Sequence, residues 1–420
     1  MNMKKFLVIS YILCLTTCLW AQTETFDEPT LTEKADTFQT DTLAVDTTTS
    51  VLPWPENIIA RLDHLLDEPL LKKTQLGLMV YDLTDDTVIF RCGEQQTLRP
   101  ASVMKLVTAI TALDKLGSGY QFRTSLYYTG KIVENILNGD LYCVGNMDPR
   151  FNNDDMNAFV ESIRRMGVDT IRGRIIADTS TKDETRLGEG WCWDDDNPVL
   201  TPLLISKKGE FILRFLETLR EKGIYVDAPC TDGVVPNNAI VLCSRFHALD
   251  QILMKMIKES DNLYAESMLH QIAMSEGVKR ASAKHAHQHV KKLINKLGLN
   301  PGDYKLADGS GLSLYNYVSA ELIVKLLRHA YRNPEIFNSL YPSLPIAGED
   351  GTLSKRMKGP FTRGNVRAKT GTLTGISSLA GYCTAANNHL LAFCIINQGV
   401  LRNASGKAFQ DKVCNALCRP

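Results

Sequence analysis

The sequence predicts an α/β (α+β) protein in which a second α+β unit interrupts the first. Three observations carry this. The composition is that of a globular chain, 44% hydrophobic and 22% charged with 28 Gly and 16 Pro, which excludes a collagenous, coiled-coil or wholly disordered chain. A length of 420 residues exceeds what one small core needs and asks for two or three domains. Helix and strand patterns at both ends of the chain flank residues 126–245, where short strands and turns follow one another with weaker periodicity.

The elements can be justified in order. Residues 1–21 carry Lys4 and Lys5, then the apolar run Phe6 to Trp20, then Ala21. A positive start, a short apolar core and a small closing residue make a secretory signal, too short for a comfortable membrane span. An uncleaved anchor is the alternative. Removing two Lys and no acid turns 47 basic against 47 acidic groups into 45 against 47, or −2. Neither balance points to nucleic acid as a partner. Export to the periplasm would permit disulfides. Nine of the eleven cysteines lie beyond the signal, with no C-x-x-C pair among them, which argues against a zinc ribbon or a thioredoxin-type site.

Residues 22–52 read as a disordered Thr/Asp-rich tether: ten of the residues from 22 to 50 are Thr and seven are acidic, too few apolar groups to offset the entropy of ordering. The first unit then occupies residues 53–125 and 246–420, and the inserted unit residues 126–245. Ile58, Ile59, Leu62, Leu65 and Leu66 have helical spacing. Leu76–Leu83 and Thr87–Arg91 read as a hairpin. A helix opens at Arg99-Pro100-Ala101 and stops at Gly117. The insertion shows strands at Asp140–Val144 and Ile171–Asp178 and one helix, Met156–Met166. Helices return from Leu249, and strands Ser377–Thr384 and Leu390–Asn397 precede a closing helix near 405–418.

Three short motifs carry the chemistry: Ser102-Val103-Met104-Lys105, Ser260-Asp261-Asn262 and Lys369-Thr370-Gly371. Each alone is weak; their order and context make the set specific, and the trio marks penicillin-binding proteins and class A β-lactamases. Spacing of three puts Ser102 and Lys105 on one helix face. A Ser hydroxyl needs a base, and Lys105 serves if burial and a second cation, for which Lys369 is the candidate, lower its pKa. Ser260 can relay a proton and Asn262 can hold a carbonyl or the lysine, although both residue types also suit a helix N-cap. The third motif opens an apolar run that can pair with an extended peptide. Gly371 allows close approach, Lys369 and Thr370 can bind a carboxylate, and the N–H groups of Ser102 and Thr372 are candidates for an oxyanion hole.

Beyond the trio, the chain resembles the serine D-alanyl-D-alanine carboxypeptidase/endopeptidase family, the class C low-molecular-mass penicillin-binding proteins. The resemblance rests also on residues 139–149 (Gly-Asp-Leu-Tyr-Cys-Val-Gly-Asn-Met-Asp-Pro), on Gly173–Asp178, on Asp308-Gly309-Ser310-Gly311-Leu312-Ser313, and on Leu344–Leu353 leading into Arg367–Leu373. It spans about residues 55–418. It implies a β-lactamase/transpeptidase-like catalytic domain with an inserted α+β domain, peptidoglycan peptides as substrates, β-lactams as covalent inhibitors, and no cofactor. It also implies an acid of the inserted domain near the substrate's diamino acid side chain, for which Asp178, with Asp148 second, is the candidate; a turn-stabilising Asp is the alternative.

Rival readings are weighed against particular residues. A class A β-lactamase needs a water-activating Glu some three dozen residues past the second motif, and residues 277–320 contain none. A non-catalytic wall-binding or β-lactam-sensing protein has no need to keep Ser102, Lys105, Ser260, Asn262 and Lys369 together. His285, His287 and His289 could hold a cation but read better as solvated, so no metal is expected. Trp191 and Trp193 could stack on carbohydrate but read better as structural anchors.

Overall fold

The computed structural model describes residues 52–193, 197–227 and 229–420. The expected signal, the tether up to residue 51 and the acidic run Asp194–Asp196 lie outside them. In chain order the helices are α1 (Glu56–Leu65), α2 (Met104–Leu116), α3 (Asn153–Arg165), α4 (Phe211–Glu221), α5 (Leu249–Lys258), α6 (Asn262–Met274), α7 (Ala283–Lys296), α8 (Ala320–Arg332), α9 (Pro334–Ser343) and α10 (Asn403–Cys418). The strands are β1 (Gln75–Asp82), β2 (Thr87–Cys92), β3 (Gln121–Tyr128), β4 (Lys131–Val133), β5 (Ile136–Asn138), β6 (Leu141–Val144), β7 (Thr170–Arg172), β8 (Ile175–Asp178), β9 (Tyr225–Asp227), β10 (Cys230–Asp232), β11 (Ile240–Ala248), β12 (Arg367–Leu373), β13 (Ile376–Thr384) and β14 (Leu390–Gln398).

The two ends of the chain build one antiparallel sheet in the order β12-β13-β14-β1-β2. β1 pairs with β14 from Gln75↔Gln398 to Asp82↔Leu391. Its residues alternate between two cores, as the period of two requires. Leu78, Val80, Leu391, Phe393 and Ile395 face one cluster with Ile58 of α1 and Val413 of α10. Met79, Tyr81, Ala392, Cys394 and Ile396 face the other, with α2, α5, α6, α7 and α8. Burial on both faces explains why these strands read as continuous apolar runs. Helix α2 is buried from Met104 through Leu113, which puts it at the centre of the helical layer.

The insertion holds a five-stranded sheet, β10-β8-β6-β3-β11, and a four-stranded sheet, β4-β5-β7-β9. One apolar cluster joins them, with Leu137 and Ile171 from the smaller sheet beside Leu141 and Ile175 from the larger. Two expectations are corrected. Ile171–Asp178 is two strands in different sheets, because the chain turns at Gly173, where a Cβ would lie 2.2 Å from the Gly139 carbonyl oxygen. The insertion also has a second helix, α4. Phe211, Phe215 and Leu219 line its inner face, but outward Leu213, 58% exposed, blurs that pattern in the sequence.

Phe151, Phe159 and Phe211 form the middle of this cluster, with ring centroids 5.0–6.4 Å apart. Phe159→Ala should lower the unfolding free energy by about 3–5 kcal/mol through lost transfer energy and a cavity, measured by urea denaturation.

Candidate active site

Pro100 and Ala101 carry the chain into a short 3₁₀ turn, Ala101–Val103, that runs directly into α2. Ala101 has φ 47°, a left-handed conformation that a non-glycine residue holds only where its neighbours over-determine it. Here Gly311 lies against it, so close that a Cβ would come within 1.9 Å of the Ala101 carbonyl oxygen. This geometry leaves Ser102 half-buried at the start of the helix, with Lys105 one turn later pointing into the protein.

Lys105 is 0% exposed. Its Nζ lies 3.0 Å from Ser102 Oγ and donates to Asn262 Oδ1 at 2.8 Å and to the Ser310 carbonyl at 2.7 Å. Burial pulls its pKa down to about 8, against the opposing pull of Asp308, Glu266 and Asp261. Lys369, the expected second cation, shares this buried site. Lys369 is itself 0% exposed, and its own pKa is lowered well below the usual lysine value, first by burial and then by repulsion from Lys105. Two buried lysines thus share one site, and each disfavours the charged form of the other.

The second motif sits between α5 and α6. Ser260 has φ 62°, and its Oγ accepts from Lys369 Nζ at 2.9 Å. The helix cap is Asp261, whose Oδ1 accepts from the Tyr264 N–H at 3.2 Å, so Ser260 and Asn262 on either side are free of that duty. The other Asp261 oxygen pairs with Lys207 of the insertion.

Strand β12 forms the sheet edge that the sequence predicts. Lys369 Nζ also donates to the Thr370 carbonyl at 2.7 Å, and the Thr370 hydroxyl donates to Thr352 at 2.8 Å. Thr372 is exposed. A Cβ on Gly371 would lie 2.1 Å from Ser378 Oγ, 2.7 Å from the Pro100 carbonyl oxygen and 3.1 Å from the Ser102 nitrogen. Only glycine lets the strand lie this close to the turn that carries Ser102. The Ser378 hydroxyl donates to the Pro100 carbonyl at 2.6 Å and ties the two together.

Motif reasoning missed the residues beneath. Glu266, buried on α6, accepts from the N–H groups of Gly309 and Ser310 at 2.9 and 2.8 Å. Burial and the nearby Asp308 push its pKa up to about 8. Thr108 donates to the Gly309 carbonyl at 2.7 Å, so the carbonyl that receives Lys105 belongs to a loop fixed from both sides. The available signal was an acid in a helix otherwise buried all round from Leu263 to Ala273.

The remaining candidates divide. Asp178 is buried, and its carboxylate accepts from the Ser180 N–H and hydroxyl at 3.0 and 2.6 Å and from the Val235 N–H at 2.8 Å. Asp148 accepts from the Arg150 N–H at 3.0 Å and pairs with His247 at 2.6 Å, which raises the His247 pKa. Neither lines the groove of about 800 Å³ that opens beside Asn262 between Arg186, Pro198, Thr201, Lys207 and Asp261. The three histidines go separate ways, and two are not solvated as expected: His287 is buried with its pKa lowered to about 4, and His289 is buried against Glu276 at 3.1 Å. His285 caps α7 with Ser282. Trp191 is a buried anchor, as the sequence favours, whereas Trp193 is 85% exposed.

The model of the D-Ala-D-Ala carboxypeptidase 3 (S13) family matches residues 58–204 and 205–419. The D-alanyl-D-alanine carboxypeptidase of Actinomadura sp. is 28% identical over 80% of this chain and 80% of its own. The crystal structure of penicillin binding protein 4 (dacB) from Haemophilus influenzae superposes with TM-score 0.79 at 24% identity, covering 86% of this chain and 99% of that one; its complex with a β-lactam gives 0.73. A predatory peptidoglycan endopeptidase from Bdellovibrio bacteriovorus gives 0.56 at 16% identity, covering 82% and 93%. The chain belongs to the D-Ala-D-Ala carboxypeptidase 3 (S13) family, and its fold is a β-lactamase/transpeptidase-like catalytic domain with an inserted α+β domain.

Gly371→Ala should leave the fold largely intact but push β12 away from Ser102. A shift of about 1 Å costs on the order of 100-fold in rate, so acylation of Ser102 by an active-site electrophile, followed by mass spectrometry, should slow by about that factor.

Proposed function

From this membership and the pairing of each serine with its own buried lysine, we propose that the protein is a serine D-Ala-D-Ala carboxypeptidase/endopeptidase that cleaves peptidoglycan stem peptides and is trapped covalently by β-lactams. The observation that carries the reading is the double contact Ser102–Lys105 and Ser260–Lys369, at 3.0 and 2.9 Å. The family and the relative named a D-alanyl-D-alanine carboxypeptidase support it.

Neutral Lys105 takes the Ser102 proton as Oγ bonds to the scissile carbonyl carbon. The oxyanion is received by the N–H groups of Ser102 and Thr372. As the C–N bond breaks, Ser260 delivers a proton to the departing amine and is resupplied by Lys369 or by Lys105. Water then hydrolyses the ester and restores Ser102. Asn262 holds Lys105 in line, and Thr370 and the edge of β12, with Gly371, receive the extended peptide and its terminal carboxylate. A β-lactam follows the same path to the acyl stage, with the ring amide as the bond broken. We assign Asp178 to its turn rather than to substrate.

The reading includes a periplasmic location, supported by the peptidoglycan substrate class and by the positive and apolar pattern of residues 1–21. Among the described residues no helix is long and apolar enough to cross a membrane. The division into residues 53–125 with 246–420, and residues 126–245, is supported by the β3–β11 ladder, which draws both crossing points together.

Two experiments test this. Fluorescent penicillin should label the native protein and not Ser102→Ala, and mass spectrometry of digested cell wall should show trimmed pentapeptides or cross-links only with the native protein. A native protein that does neither sinks the reading, and rapid nitrocefin turnover would move it to a β-lactamase. The second concerns pH. Lys105, with its pKa at about 8, acts as base only when neutral, so the acylation rate should fall about tenfold for each pH unit below 8 and level off above it.

A further inference from the structure

Trp191 belongs to the inserted region, yet its indole reaches the loop beneath the nucleophile. We propose that Trp191 is a positioning residue for acylation, acting on Lys105 through Asp308 and the loop of residues 308–313; this rests on the reading of Lys105 as the base.

The contacts form an unbroken chain. Trp191 Nε1 donates to Asp308 Oδ2 at 2.8 Å in a buried setting. The same oxygen accepts from Ser310 Oγ at 3.1 Å and the Ser313 N–H at 2.8 Å. Oδ1 accepts from the Gly311 N–H and from Asn316 Nδ2, both at 2.7 Å. The loop is therefore wound around one carboxylate, and among the described residues the indole is the one hydrogen-bond donor to that carboxylate from outside residues 308–316. The carbonyl of Ser310, in the middle of that loop, is the acceptor that holds Lys105 Nζ at 2.7 Å.

The indole is aimed, not merely packed. It lies among Met147, Leu200, Leu204 and Leu263, the last adjacent to Asn262. The turn before it has no room for side chains. A Cβ on Gly188 would come within 2.5 Å of the Trp191 ring, and one on Gly190, at φ 79°, within 2.6 Å of Tyr315 and 2.7 Å of Ser313 Oγ. Glycine at both positions lets the inserted segment lie against the loop and turn its N–H inward.

The electrostatic consequence has a definite sign. Lys105 is faced by Asp308, Glu266 and Asp261, which favour its protonated form, and by Lys369 across the site. An N–H dipole pointed at Asp308 tempers the negative potential that this carboxylate projects onto Lys105. Without it, Lys105 keeps its proton to higher pH, and the carbonyl that orients it loses a fixed support.

The test uses the full chain and the rate of labelling by fluorescent penicillin from neutral to alkaline pH. Trp191→Phe, folded by circular dichroism, should lose several-fold in rate near pH 7 and recover much of it at alkaline pH, its acid limb displaced upward. Leu200→Ala thins the same apolar cluster without touching the N–H, and should lose stability while keeping the native limb. A folded Trp191→Phe with the native limb, a loss equal at every pH, or a limb displaced as far by Leu200→Ala overturns the proposal. Should Trp191→Phe not fold, benzothienylalanine at position 191, which keeps the bicyclic shape and lacks only the N–H, decides by the same limb. Failure of the native protein to label at any pH would instead refute the acyl-enzyme reading, and this proposal with it.

Discussion

Two lysine amines removed from solvent, each costly to keep as an ammonium ion, are the condition around which the molecule is arranged. Removing one such ion from water costs several kcal/mol even after relaxation, and Lys105 and Lys369 are both fully buried. Among the described residues, neither meets a carboxylate within hydrogen-bond reach. They are met instead by serine hydroxyls, the Asn262 amide and the carbonyls of Ser310 and Thr370. Such partners solvate a charge without locking it, which is what the proposed role of Lys105 as a base that loses and regains a proton requires. A direct ion pair would hold the lysine protonated and idle.

Keeping those partners in place explains the irregular backbone nearby. Ala101 and Ser260, beside the nucleophile and in the second motif, adopt left-handed conformations, each costing on the order of 1–3 kcal/mol. They persist because neighbouring segments leave no alternative: Gly311 lies against Ala101, Gly371 against Pro100 and Ser102, and Asp261 caps α6 immediately after Ser260. The deeper support is the buried pair Glu266 and Asp308, whose carboxyl oxygens accept from the loop amides.

The sequence made the reactive surface of the site legible and hid its foundation. Ser102, Lys105, Ser260, Asn262 and Lys369 stand in short motifs whose spacing already encodes a shared helix face or strand edge, and the structure brings them together. Glu266 acts through contacts with backbone amides more than forty residues away, which no spacing rule records; only the oddity of an acid in an apolar helix marked it. Strands β1, β13 and β14 were legible because both faces are buried. The break at Gly173 was not, since it depends on a glycine over thirty residues away, and α4 was hidden by apolar side chains on its outer face.

The pairing of β1 with β14 has a consequence for how the chain comes to life. Ser102 lies early in the sequence, while Lys369 arrives 267 residues later on a strand anchored through β13 and β14 to β1. Loop closure over such a span is slow compared with local helix formation. A ribosome that has made only the first three-quarters of the chain has therefore made a serine without its second lysine or its edge strand. Until β12 closes against β13, Ser260 lacks the lysine that meets it and the turn carrying Ser102 lacks its edge strand.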